Sequence, residues 1–162
     1  MDLFKFVGEY FWLIFIGVTV INYLLMDRFD SGDEGGLVDR ALRRKYLGWL
    51  WGLSCVPWLV AGYGQIVGGV PNVWALFRPQ DRNPYVWAFY GAILVVYAVI
   101  AYWVLFRDGA RIAAELRVVK FSTPGRSGAL SAFWIKVFAV AALPFFAFWL
   151  WLASRMNVPI FE

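Results

Sequence analysis

Histidine is absent from this chain of 162 residues, and cysteine occurs once, at Cys55. Without imidazole there is no His-ligated haem, none of the usual transition-metal sites and no imidazole acid–base chemistry. A single cysteine excludes an intrachain disulfide, and Cys55 sits within an uncharged stretch, where a thiol behaves as a small hydrophobe. Charge is scarce as well: 16% of the residues are Asp, Glu, Lys or Arg, against about 25% in soluble domains. No Walker loop, HExxH, GxSxG or paired-carboxylate arrangement occurs, so nothing points to a nucleotide site or a hydrolase, and no cofactor or metal is expected.

Hydrophobic residues make up 62% of the chain and aromatics 20%. They are gathered into runs free of any charge, at residues 10–26, 46–77, 83–106 and 137–154. A helix needs roughly 20 apolar residues to cross the hydrocarbon of a bilayer. The pattern therefore predicts an all-α integral membrane bundle of four transmembrane helices in a single domain, residues 1–162, with short interfacial helices. The expected spans are about 6–26, 46–69, 85–106 and 133–153. The first has no basic leader and no small-x-small site after it, so it reads as a retained span rather than a signal. Lys5 and Glu9, four apart on its first turn, are expected to pair at the interface.

The second run organises the rest. It is longer than a bilayer needs, holds Pro57, and carries Gly48 and Gly52, then Gly64 and Gly68, at the four-residue spacing that lets helices approach closely in lipid. Its helix is expected to end near Gly68-Gly69, with Pro71 opening a short helix over Asn72–Phe77 at the membrane surface. Arg78-Pro79-Gln80-Asp81-Arg82-Asn83-Pro84 reads as a fixed polar turn, in which Asp81 accepts from Arg78 or Arg82. In the third loop, Ile112, Leu116 and Val119 line one side of an amphipathic segment expected to lie on the headgroups. Pro57 and Pro144 are both expected to kink their spans, since a proline within a helix removes a hydrogen bond and crowds the preceding turn. A calcium loop needs a glycine at its sixth position together with a bidentate glutamate at its twelfth; that arrangement is missing at Asp30–Gly36, which reads as an acidic turn.

Ten basic residues fall in the loops 27–45 and 107–131, against four in the remaining turn and the tails. This bias is expected to place both loops in the cytoplasm and both termini on the opposite side of the membrane. The net charge of +4 then belongs to anionic lipid, and no nucleic-acid partner is expected. Expected partners are membrane lipids and other membrane subunits, or a second copy. Candidate contacts are Trp74, Arg78, Asp81, Arg82 and Asn83 on one side and Arg107 and Arg111 on the other. Function is expected to be that of a non-enzymatic accessory or interaction subunit. The alternative is a small transporter or channel whose path is lined by Glu9, Asn22 and Gln65, with the broken backbone at Gly68–Pro71. For the two amides, hydrogen bonding between helices is the competing role.

Gly62-Tyr63-Gly64-Gln65, Gly69-Val70-Pro71-Asn72-Val73-Trp74 and Phe77 through Tyr85, followed by Tyr102-Trp103 and Phe106-Arg107-Asp108-Gly109-Ala110, resemble a set of small bacterial four-span membrane proteins. The resemblance covers the middle of the chain. It implies a free-standing four-span protein of bacterial origin, and no activity or functional residue comes with it.

Overall fold

A computed structural model describes residues 3–29, 40–118, 120–123 and 126–155. The acidic turn at Asp30–Gly36 lies outside the described residues, as does the Val119 side chain. Five helices account for most of the rest: α1 (Leu3–Phe29), α2 (Arg40–Ile66), α3 (Pro84–Phe106), α4 (Gly109–Glu115) and α5 (Ala132–Arg155). Two 3-10 turns, Val73–Phe77 and Pro79–Asp81, join α2 to α3. A short antiparallel hairpin, β1 (Lys120–Thr123) and β2 (Arg126–Ala129), pairs Lys120 with Ala129 and Thr123 with Arg126 ahead of α5. Its strands carry no alternating apolar pattern in the sequence, and Pro124-Gly125, a standard turn dipeptide, is the one local sign of it.

The long helices occupy the charge-free runs because an apolar environment leaves backbone amides and carbonyls no partners but each other. That pressure carries α2 through Pro57 and α5 through Pro144 without interruption. α3 starts more sharply. Asn83 accepts from the Tyr85 amide at 2.9 Å, and Pro84 occupies the first helical position, where its missing N–H matters least. α4 ends with Arg117 at φ 50°, its amide bonded to the Ala114 carbonyl at 3.1 Å and the Val118 amide to that of Ala113 at 2.9 Å. This is a Schellman closure with arginine in the place usually taken by glycine.

The main packing runs in a row, α1 on α2, α2 on α3 and α3 on α5, with α4 bridging α3 and α5. Rings continue that row through the molecule. Phe15 stacks on Trp58 at 4.5 Å, Trp58 meets Phe89 edge-on at 5.5 Å, and Tyr90 beside Phe89 reaches Phe146 of α5 at 6.2 Å. Two buried clusters close the ends. One joins Ala61, Val70, Val73, Leu76, Val86, Phe89 and Tyr90. The other joins Leu47, Val104, Ala110, Ala113, Leu116, Val118 and Ile135.

Three helices are long and apolar enough to cross a bilayer: Lys5–Leu25 within α1, α3 and α5, at mean hydropathies of 1.5, 2.2 and 2.0. α2 has the length, but its tryptophans, tyrosines and glycines lower its hydropathy although the stretch from Tyr46 onward is uncharged.

The glycines of α2 do not serve as backbone contacts between helices. A Cβ at Gly62 would meet the Trp12 ring at 2.5 Å, one at Gly64 would meet the Tyr85 Cβ at 2.9 Å, and Gly68, just beyond α2, lies under the Tyr85 ring. Gly48 faces Tyr23 at 3.5 Å, while Gly52 has nothing within 4 Å. The spacing thus makes notches for aromatic side chains arriving from α1 and α3.

Candidate functional site

The segment between α2 and α3 shapes one end of the molecule. α2 ends where Gly69, at φ 66°, turns the chain so that the Val70 amide reaches the Gly64 carbonyl at 3.1 Å. Such a φ is nearly free of strain for glycine alone. The expected short helix over Asn72–Phe77 appears as a 3-10 turn, and it is tucked into the bundle rather than lying on the surface. Val73, Ala75 and Leu76 are buried, and Asn72, only 4% exposed, caps the turn by accepting from the Trp74 amide at 3.0 Å. The reason is composition: five apolar residues in a row leave no polar side for water. Tyr90 holds the turn down from below, its hydroxyl donating to the Leu76 carbonyl at 2.8 Å.

The sequence candidates at this end divide. Trp74 points inward, its indole nitrogen 2.9 Å from where a Gly8 Cβ would stand. Asp81 takes both contacts from Arg78, at 3.0 and 3.1 Å, so the pair is bidentate and internally neutral. Asn83 is a staple, with Oδ1 capping α3 and Nδ2 donating to the Gly68 carbonyl at 3.3 Å. Arg82 is exposed at φ 57°, a left-handed conformation costing a non-glycine residue about 1–2 kcal/mol. Gln65 donates a long hydrogen bond, 3.5 Å, to the Gly8 carbonyl, which ties α2 to α1 one residue from Glu9. Glu9 is half-buried and Lys5 exposed, and the ion pair expected between them does not form. Asn22 is exposed on the outer side of α1, about 20 Å along the helix from Glu9. Gln65 and Glu9 are therefore brought near each other, and Asn22 is not brought to them.

At the opposite end, Arg107 caps α3 and is exposed, and Arg111 reaches Asp108 at 3.9 Å and Glu115 at 3.6 Å. α4 carries Arg111 with its inner side, Gly109, Ala110, Ala113 and Leu116, packed against α3 and α5. The amphipathic segment expected on the headgroups thus spends its apolar side on the protein. Beside it lies a cleft of about 220 Å³ lined by Lys45, Tyr46, Trp49 and Trp103. Sequence reasoning passed over it, because Trp103 is distant in the chain from the other three.

Two further clefts lie between α3 and α5. The outer, about 500 Å³, is walled by Ile93, Tyr97, Ala142, Phe145, Phe146 and Trp149. The inner, about 220 Å³, reaches Trp58 and Leu76. Their linings are aromatic and aliphatic, with the Tyr97 hydroxyl turned to the Ala139 carbonyl. Among the described residues no three Cys, Asp or Glu side chains come together as metal ligands would. Among the described residues the arrangement offers packing surfaces and exposed cations.

No protein-family model, no curated protein and no solved structure matches the chain. The fold is that of a helical, membrane-like protein with three apolar helices of membrane length among the described residues.

Proposed function

We propose that the chain is a non-enzymatic, four-span subunit of the bacterial inner membrane that works by docking against another membrane protein, a partner subunit or a second copy. α2 supplies the fourth span: its uncharged part from Tyr46 to Ile66 is about 31 Å long, close to the hydrocarbon thickness, and it lies between two helices of membrane length. The loops at 27–45 and 107–131 face the cytoplasm on the strength of their basic residues.

The observation that carries the reading is α5. In its apolar stretch 6% of residues are buried, against 22% in α3. One seam, Ile135, Ala139, Ala142, Phe146 and Ala153, turns toward the rest of the protein. A second, Trp134, Phe138, Phe145 and Phe148, repeats at helical-contact spacing on the open side, each ring between 51 and 69% exposed. Large rings at that spacing form the knobs of a helix–helix contact. Arg82 at one membrane surface and Arg107 at the other, both exposed, are available to the same partner. A transport path, by contrast, needs Glu9, Asn22 and Gln65 in one passage, and the exposed position of Asn22 argues for docking.

A photoreactive phenylalanine at position 138 or 145, activated in intact membranes, tests this. Cross-links to protein are expected from both positions, and lipid adducts alone from position 21 on the exposed side of α1. Lipid adducts alone from all three would refute the reading.

A further inference from the structure

We propose that the cleft between the start of α2 and the end of α3 is a binding site for an anionic phospholipid, with the Lys45 ammonium on the phosphate and the aromatic walls against the glycerol and the first carbons of a chain. The site is built before any ligand arrives. The Trp103 ring fills the space over Gly109, where a Cβ would come within 2.4 Å of it. Tyr46 stacks on the same ring at 5.5 Å and 27°, and Trp49 meets it edge-on at 5.3 Å. With Trp103 held by backbone on one side and by two rings on the other, the cleft keeps its shape, so little ordering is needed on binding.

Lys45 stands at this cleft without an ion pair or hydrogen bond among the described residues. Its neighbour Arg44 is engaged with the Tyr23 hydroxyl at 3.3 Å. Asp108 and Glu115 at this end are both within reach of Arg111. No described side-chain carboxylate pairs with Lys45, and Arg107 adds a second exposed cation one turn beyond Trp103. A fixed aromatic floor, an ammonium with no ion pair among the described residues and a volume of about 220 Å³ suit a phosphate diester at the level where headgroup meets hydrocarbon. A free phosphate would leave the three rings without a partner.

The inference rests on the chain lying in a membrane and is independent of how α5 is covered. The test uses the full chain in mild detergent, titrated with phosphatidylglycerol and with phosphatidylcholine of identical chains, bound lipid being counted by native mass spectrometry. Wild-type protein is expected to prefer phosphatidylglycerol. Lys45→Ala is expected to bind it about five-fold more weakly with phosphatidylcholine unchanged, while Lys45→Arg and Lys136→Ala stay near wild type. Lys136 is exposed on α5, so its removal controls for charge alone, and Lys45 is exposed as well, so the fold survives its loss. Equal loss from Lys45→Ala and Lys136→Ala, no loss from Lys45→Ala, or competition by glycerol phosphate as strong as by the intact lipid would each overturn the proposal. Any of those results alongside protein cross-links from α5 would leave the docking reading standing.

Discussion

Gly62→Ala and Gly52→Ala make the same chemical change ten residues apart in α2, and the structure assigns them opposite signs. At Gly62 the added methyl would stand 2.5, 2.6 and 2.9 Å from three atoms of the Trp12 indole. Carbon atoms rest at about 3.5–4.0 Å, so the ring must retreat by about 1 Å. Overpacking costs about 1–3 kcal/mol, and three such contacts with a rigid ring put this case near 3. Alanine returns about 1 kcal/mol over glycine inside a helix, leaving a net loss of about 2 kcal/mol. For a chain of this length that is a fall of about 4–8 °C in the unfolding midpoint. At Gly52 nothing lies within 4 Å, so the helical gain stands alone and the midpoint rises by about 2–4 °C. Cys55, half-buried in the same helix and the sole thiol, reports unfolding through a thiol-reactive dye in detergent. Trp12→Leu combined with Gly62→Ala should unfold no lower than Trp12→Leu alone. A Gly62→Ala protein as stable as wild type, or a double variant showing the plain sum of the two losses, would refute the notch.

Two other predictions concern the segment between α2 and α3. Asn83→Ala removes the cap of α3 and the bond to the Gly68 carbonyl together; a loss of about 1–2 kcal/mol is expected, with Asn83→Asp recovering the cap share but not the second bond, both read as unfolding midpoints. Tyr90→Phe leaves the buried Leu76 carbonyl without its 2.8 Å donor, which should lower stability by about 1–3 kcal/mol and raise amide hydrogen exchange locally, at Val73–Phe77, before any change elsewhere.

The helices were legible because hydrocarbon solvent leaves a plain trace: long stretches with no charge. α2 begins at Arg40, ahead of the uncharged run, since the basic lead-in is itself helix-forming and simply extends outside it. The Arg78–Asp81 pair was readable from a spacing of three. What escaped the sequence depends on distant partners. Gly64 and Gly68 look like a helix–helix motif until Tyr85 is seen filling both, and nothing at Gly62 announces Trp12. The Asn72–Phe77 turn carries no sign that Tyr90 and Val86 bury it. The Lys45 cleft needs Trp103, brought from the far end of α3. Lys5 and Glu9 were a fair pair by spacing, but exposed pairs of this kind gain little over water, and here the side chains stay apart.

The row of helices bears on how the protein is made. α1, α2, α3 and the buried turns between α2 and α3 form their contacts with one another from chain that leaves the ribosome first, whereas α5 leans mainly on α3, α4 and the second 3-10 turn. A nascent chain halted after Glu115 already holds the partners of both glycine notches and of the Tyr90 hydroxyl. Among the described helices α5 is made after its wall has formed, and docking in that order leaves its aromatic outer seam exposed until the end.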